Sequence, residues 1–143
     1  MTIELRRSFA LVASVFLFAA SAAAEPVLGT TGSAAGDEWQ SSWLDIKPPI
    51  TFKKGEVLRI KVDGDAENVL VRLLPATSYP DSPDGIEGNV RKVPASRIVE
   101  VKLERDHPDV KQISVHAGKK AWTTQLGGNN GTVRVVSVDR NTK

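Results

Sequence analysis

The sequence contains no cysteine among its 143 residues, and it has only one methionine and four phenylalanines. Without cysteine, the chain can form no disulfide, no thiolate metal site and no cysteine nucleophile. An excess of charge of one sign is also missing, since 19 lysines and arginines are balanced by 17 aspartates and glutamates. No basic block or stripe stands out, so we expect no nucleic-acid partner. The length fits a single domain.

No hydrophobic run is long enough for a membrane-spanning helix, and the longest run lies near the N-terminus. Arg6 and Arg7 precede a 12-residue apolar stretch from Phe9 to Ala20, and small residues ending at Ala24 follow it. A membrane-spanning helix needs about 20 apolar residues, so this run is too short to span. The pattern predicts a cleavable signal peptide over 1–24, with an uncleaved anchor or a buried helix as the alternative. We therefore expect a periplasmic or secreted protein with no membrane span after cleavage near Ala24.

After residue 24 the composition shifts to β-branched residues, with 15 valines and 6 isoleucines against 8 leucines. Such side chains suit a pleated sheet and resist helix formation. Strict alternation of apolar and polar residues over 58–62 predicts a half-buried strand. The segment 69–74 is apolar on much of both faces, which predicts a central strand. The pair Val135-Val136 interrupts the last alternating segment and indicates a β-bulge or a change of face.

Turn signals separate the predicted strands, and no stretch has a helical period. This pattern favours an all-β fold, an antiparallel β-sandwich. We expect one sandwich domain over 39–143, with Val71 and Val101 in its core. The small, uncharged residues at 26–36 indicate a flexible N-terminal arm, which we place at 25–38.

Strand-like segments follow one another from Gly55 to Asp139, namely GEVLRIKVDGDAENVLVRLL, RIVEVKL, VKQISVHAG and AWTTQLGG, before a closing valine-rich strand. Together they resemble the galactose-binding-like jelly-roll β-sandwich domains. The resemblance implies a jelly-roll-like fold. It also implies a non-catalytic module that binds glycans or other proteins through loops at one end. It assigns no binding residue to a position in this chain.

Polar residues flank one tryptophan near the C-terminus. A flat aromatic ring can stack on the apolar face of a sugar, while ammonium and amide groups hydrogen-bond its hydroxyls or an anionic group. The predicted ligand-binding residues are Trp122, Lys119, Lys120, Gln125, Asn129 and Asn130. The alternative interpretation is that Trp122 packs in the core.

Catalytic patterns are weak in this chain. There is no G-x-S-x-G elbow, and the two histidines, His107 and His116, are predicted in a turn and at an outward strand position. We therefore predict no enzymatic activity and no required cofactor. Asp81, Asp84 and Glu87 lie in a segment rich in proline and glycine, and hard carboxylate oxygens suit Ca²⁺. These three residues are the candidate calcium ligands.

The sequence leaves three functions open. The first is a small exported protein that binds a ligand, with carbohydrate as the leading class, through loops at one end. The second is a structural or protein-interaction domain of the cell envelope, in contact with an envelope protein through an edge strand or the long segment 75–96. The third is an unrecognised hydrolase or a calcium-dependent protein.

Overall fold

A computed structural model of the chain describes residues 24–35, 40–75, 90–118 and 126–141. Within these ranges the chain is all-β and forms two antiparallel sheets. The strands are β1 (Ala24–Pro26), β2 (Thr30–Ala35), β3 (Gln40–Phe52), β4 (Val57–Asp63), β5 (Asn68–Pro75), β6 (Arg91–Lys92), β7 (Ile98–Lys102), β8 (His107–His116) and β9 (Arg134–Asn141). No helix in the described ranges is long and apolar enough to cross a membrane.

The two sheets share one hydrophobic core. The four-stranded sheet has the order β1-β9-β4-β7, and the five-stranded sheet has the order β2-β3-β8-β5-β6. From β3 onward, each connection except β5–β6 leads to the other sheet. The core contains valine, leucine and isoleucine side chains from both sheets. The all-β, sandwich-like architecture predicted from the strand pattern is confirmed.

Alternation along the strands decides which side chains enter the core. Leu58, Ile60 and Val62 are fully buried, while Lys61 between them is exposed. The β5 strand pairs with β8 on one side and β6 on the other, and residues 69–74 are all buried. The predictions of a half-buried strand and of a central strand are both confirmed.

The predicted bulge at Val135-Val136 is confirmed by the pairing of β9 with β4. Lys61 pairs with Ser137 and Val62 pairs with Val135, so Val136 has no partner on β4. One extra residue therefore turns Val136 outward, and it is 43% exposed.

Within the segment 25–38, which the sequence assigns to an N-terminal arm, the structure places residues in two strands. Strand β1 pairs with β9, and β2 pairs with β3. The small residues have a packing role here, because Gly32 lies against the Trp43 indole. A Cβ at Gly32 would come within 2.5 Å of Trp43 Nε1. The predicted signal peptide, in contrast, falls almost entirely on residues 1–23, which lie outside the described residues.

The two histidines are more buried than the sequence predicted. His107 is the first residue of β8 and not part of a turn, and only 2% of its surface is exposed. His116 does point to the outer side of its sheet, but it is 7% exposed. Its Nε2 lies 2.9 Å from Ser114 Oγ. Alternation predicted the side of the sheet correctly but not the burial on that side.

Candidate functional site

Three connections meet at one end of the sandwich, and we call them the loop end. They comprise residues 64–68, from the β4–β5 turn to the first residue of β5, residues 92–97, from the last residue of β6 toward β7, and residues 126–132 before β9. The Glu67 N–H donates to the Asn130 carbonyl oxygen at 3.1 Å, and the Glu67 carbonyl oxygen accepts the Val93 N–H at 2.8 Å. The backbone of Glu67, in the first connection, is thus hydrogen-bonded to both of the other connections.

Asp65 adds a second link between the first and third connections. Its Oδ1 accepts the Thr132 backbone N–H at 2.7 Å and the Thr132 hydroxyl at 2.8 Å. The Ala66 N–H donates to the Thr132 carbonyl oxygen at 2.9 Å. Because hydrogen bonds from Thr132 favour the charged carboxylate, they hold the pKa of Asp65 below its ordinary value.

This close approach of two connections requires glycine at two positions. Gly64 has φ +102° and Gly131 has φ +115°, a region that other residues rarely adopt. A Cβ at Gly64 would collide with the Thr132 carbonyl oxygen, and one at Gly131 would lie 2.6 Å from Asp65 Oδ1. The Asp65–Thr132 link therefore depends on both glycines.

The lowered pKa predicts that Asp65 makes stability depend on pH. Because the Asp65 carboxyl binds protons less tightly in the folded state, its contribution to the free energy of unfolding is present above about pH 4. This contribution is lost as the pH falls through the lowered pKa. We expect the urea midpoint of the wild type to drop more between about pH 6 and about pH 3 than that of Asp65→Asn. Asp63→Asn, a change at an exposed carboxylate before the same turn, is the control. Equal drops in wild type and Asp65→Asn would contradict the prediction.

Only two of the predicted ligand-binding residues, Asn129 and Asn130, lie within the described residues. Asn129 is exposed, and its Oδ1 accepts the Gly131 N–H at 2.9 Å. Both belong to the loop end, which is the end of the sandwich that the sequence indicated. The other four, Trp122, Lys119, Lys120 and Gln125, lie outside the described residues, as do the candidate calcium ligands Asp81, Asp84 and Glu87. In the described ranges no group of three or more potential ligands could hold a metal ion.

The Asn130 side chain binds within the loop end itself. Its Nδ2 lies 3.3, 3.2 and 3.1 Å from the carbonyl oxygens of Ala117, Leu126 and Gly128. Its Oδ1 accepts a hydrogen bond from Asn68 Nδ2 at 3.2 Å. Asn130 therefore shapes the loop and orients the neighbouring Asn68.

A cleft of about 540 Å³ opens between the first and second connections. It contains carboxylate, amide, ammonium and guanidinium groups within one small volume. Its lining residues are Asp65, Ala66, Glu67, Asn68, Lys92, Val93 and Arg97. Such a mixture of donors and acceptors can hydrogen-bond a polar ligand from several sides.

The sequence predicted none of the residues that line this cleft, and Arg97 is one of them. It has φ 59°, which is uncommon for a residue other than glycine. Its Nη1 donates to the Ala66 carbonyl oxygen at 2.9 Å, and its own carbonyl oxygen accepts the Val62 N–H at 2.9 Å. Nε and Nη2 are buried and have no hydrogen-bond acceptor among the described residues. No sequence motif marks this position, since it is an isolated arginine after a proline-containing turn.

A second polar set lies on the outer side of the five-stranded sheet. The register of β3, β8 and β5 aligns Trp43, Ser114 and Arg72 in one row. Arg72 alternates with Val71 and Leu73 and thus points away from the core, yet its exposure is 0%. Alternation along β5 accounts for the side on which Arg72 lies but not for its complete burial.

Comparison with known proteins gives no independent guide to this end of the sandwich. No protein-family model matches the chain, and neither the curated proteins nor the solved structures provide a match.

Proposed function

We propose that this protein is a non-catalytic module that binds a carbohydrate through the loop end. The supporting observation is the cleft between the first two connections, whose polar side chains extend from loops locked together by backbone hydrogen bonds. A site that is ordered before the ligand arrives loses less conformational entropy on binding. Sugar hydroxyls both donate and accept hydrogen bonds, so they match a lining that offers both.

Two cations, Lys92 and Arg97, line the cleft beside the carboxylates of Asp65 and Glu67. Asp65 is already engaged within the protein, because its Oδ1 accepts two hydrogen bonds from Thr132 and the charge of Arg97 also acts on it. The two cations can bind a sugar that carries a carboxylate. Guanidinium groups bind carboxylates with charge-assisted hydrogen bonds. An acidic oligosaccharide is therefore the ligand class that we propose.

We also propose that the fold is the jelly roll implied by the sequence resemblance. If β2 is treated as an added edge strand, eight strands remain. Numbered in chain order, they have the sheet orders 1-8-3-6 and 2-7-4-5. These are the orders expected when two Greek keys wind into one double sheet. Loops at one end of such a sandwich are a common position for a ligand site.

We also propose that the protein is exported from the cytoplasm. The basic, apolar and small-residue pattern of residues 1–24 supports a periplasmic or secreted location. A carbohydrate ligand fits that location, because polysaccharides are abundant outside the cytoplasm.

Replacing Arg97 tests the proposed site. Asn tolerates a positive φ, so Arg97→Asn removes the guanidinium with little change of the backbone. Loss of a charge-assisted hydrogen bond costs about 1.5–3 kcal/mol, so we expect the dissociation constant for a uronic acid oligosaccharide to rise at least about 10-fold. Isothermal titration calorimetry measures it, with a neutral galactose oligosaccharide as the comparison ligand. Arg59→Asn is the matched control, since Arg59 pairs with Glu100 on the outer side of the other sheet.

Binding by Arg97→Asn that equals wild-type binding would place the ligand elsewhere. No binding by wild type on a glycan array would remove the carbohydrate proposal. Trp122→Ala in the same titration tests the sequence-predicted ring, and added EDTA tests the calcium hypothesis for Asp81, Asp84 and Glu87.

A further inference from the structure

The described sheets have four edge strands, and three of them carry features that prevent pairing with another chain. Exposed edges are protected in natural proteins by short length, charged side chains or proline. The β1 strand has three residues and includes Glu25 and Pro26, and β6 consists of two basic residues. The β7 strand carries Glu100 and Lys102.

The fourth edge strand, β2, has none of these features. It is six residues long, with the sequence TTGSAA, and so has neither charge nor proline. Within the described part of the chain it pairs only with β3. Thr30, Thr31, Ser33 and Ala34 are exposed. In an antiparallel ladder, alternate residues of such a strand direct their N–H and C=O groups away from the sheet.

The edge of β2 is also held firmly in place. All six of its residues pair with β3. Ser42 Oγ donates to the Gly32 carbonyl oxygen at 2.7 Å and accepts the Val135 N–H of the other sheet at 2.8 Å. The Trp43 indole packs against Gly32. An incoming strand would therefore meet a preformed edge.

We propose that β2 pairs antiparallel with β2 of a second copy of this chain, which joins the two five-stranded sheets into one continuous sheet. An uncharged strand can meet its own copy across a twofold axis without repulsion. The same pairing through β7 would bring Glu100 close to its copy, and like charges across a ladder are unfavourable. Leu28 precedes β2 and is 78% exposed, so it adds apolar surface beside the proposed interface.

The proposed dimer is weak and depends on concentration. Only six residues of each copy pair in this interface, fewer than the roughly 20–30 residues a side of a standard stable interface. We expect sedimentation velocity to show monomer at about 1 μM and a growing dimer fraction toward about 1 mM. Hydrogen exchange at the high concentration should slow at the β2 amides.

Ser33→Lys tests the interface, because it places a charge in the middle of the edge strand. We expect this variant to stay monomeric at the highest concentration while keeping its thermal unfolding temperature. Ser137→Lys is the matched control, since Ser137 is an exposed serine of β9, a strand paired on both sides. It should dimerise as the wild type does.

Wild type that remains monomeric throughout, or Ser33→Lys that dimerises normally, overturns the proposal. Protection of the β2 amides that requires an added envelope extract also overturns it, because the edge would then receive a strand of another protein. Titration of the monomeric Ser33→Lys variant with carbohydrate tests the proposed ligand site separately from dimer formation.

Discussion

Val71→Asp is expected to lower the free energy of unfolding by at least about 3–5 kcal/mol, because it places a carboxylate without a partner in the core. Val71 is 0% exposed and pairs with Val115, which is also 0% exposed. Domains of this kind are stable by only about 5–15 kcal/mol, so the variant should lose much of its folded population. Urea denaturation followed by circular dichroism measures the change.

The control for this prediction is the same substitution at the bulge. Val136 is 43% exposed and has no partner on β4. We expect Val136→Asp to change the free energy of unfolding by no more than about 0.5 kcal/mol. Val101→Asp, at another fully buried position, should behave like Val71→Asp. Similar midpoints for Val71→Asp and Val136→Asp would show that the register of β5 is wrong.

Gly64→Ala is expected to have the largest effect at the loop end. Gly64 has φ +102°, and a Cβ there would collide with the Thr132 carbonyl oxygen. The backbone strain costs about 1–2 kcal/mol and the collision about 1–3 kcal/mol more, so the total is about 2–5 kcal/mol. Because the collision pushes Thr132 away from Asp65, the affinity for the proposed acidic oligosaccharide should fall as well.

Gly55→Ala isolates the backbone-strain part of that effect. Gly55 has a similar φ of +92°, but nothing lies within 4 Å of a Cβ there. We expect a loss of about 1–2 kcal/mol in the free energy of unfolding from strain alone, and unchanged ligand affinity. Urea denaturation and calorimetry measure the two effects. Equal destabilisation by the two substitutions would contradict the close approach of Gly64 to Thr132.

The proposed site could be predicted only in part from the sequence. Asn129 and Asn130, which the sequence predicted as ligand-binding residues, lie at the loop end, where Asn and Gly form a tight turn. Asn68, the first residue of β5, and Arg97, in the β6–β7 connection, carry no local signal in the sequence. They reach the same cleft through hydrogen bonds to Asn130 and Ala66, and such long-range contacts leave no trace in periodicity.

By itself, the sequence determined several of the strands and which of their side chains point inward, but not β1 and β2. Alternation over 58–62 predicted the burial of β4, and Val135-Val136 predicted the bulge, because both are local consequences of a period of two along one strand. Tertiary structure alone decided that the small, uncharged β2 segment joins the sheet, since its stability comes from pairing with β3 and from Gly32 fitting against Trp43. It also decided the burial of Arg72 and His116 and the composition of the cleft, because these depend on which distant segments meet.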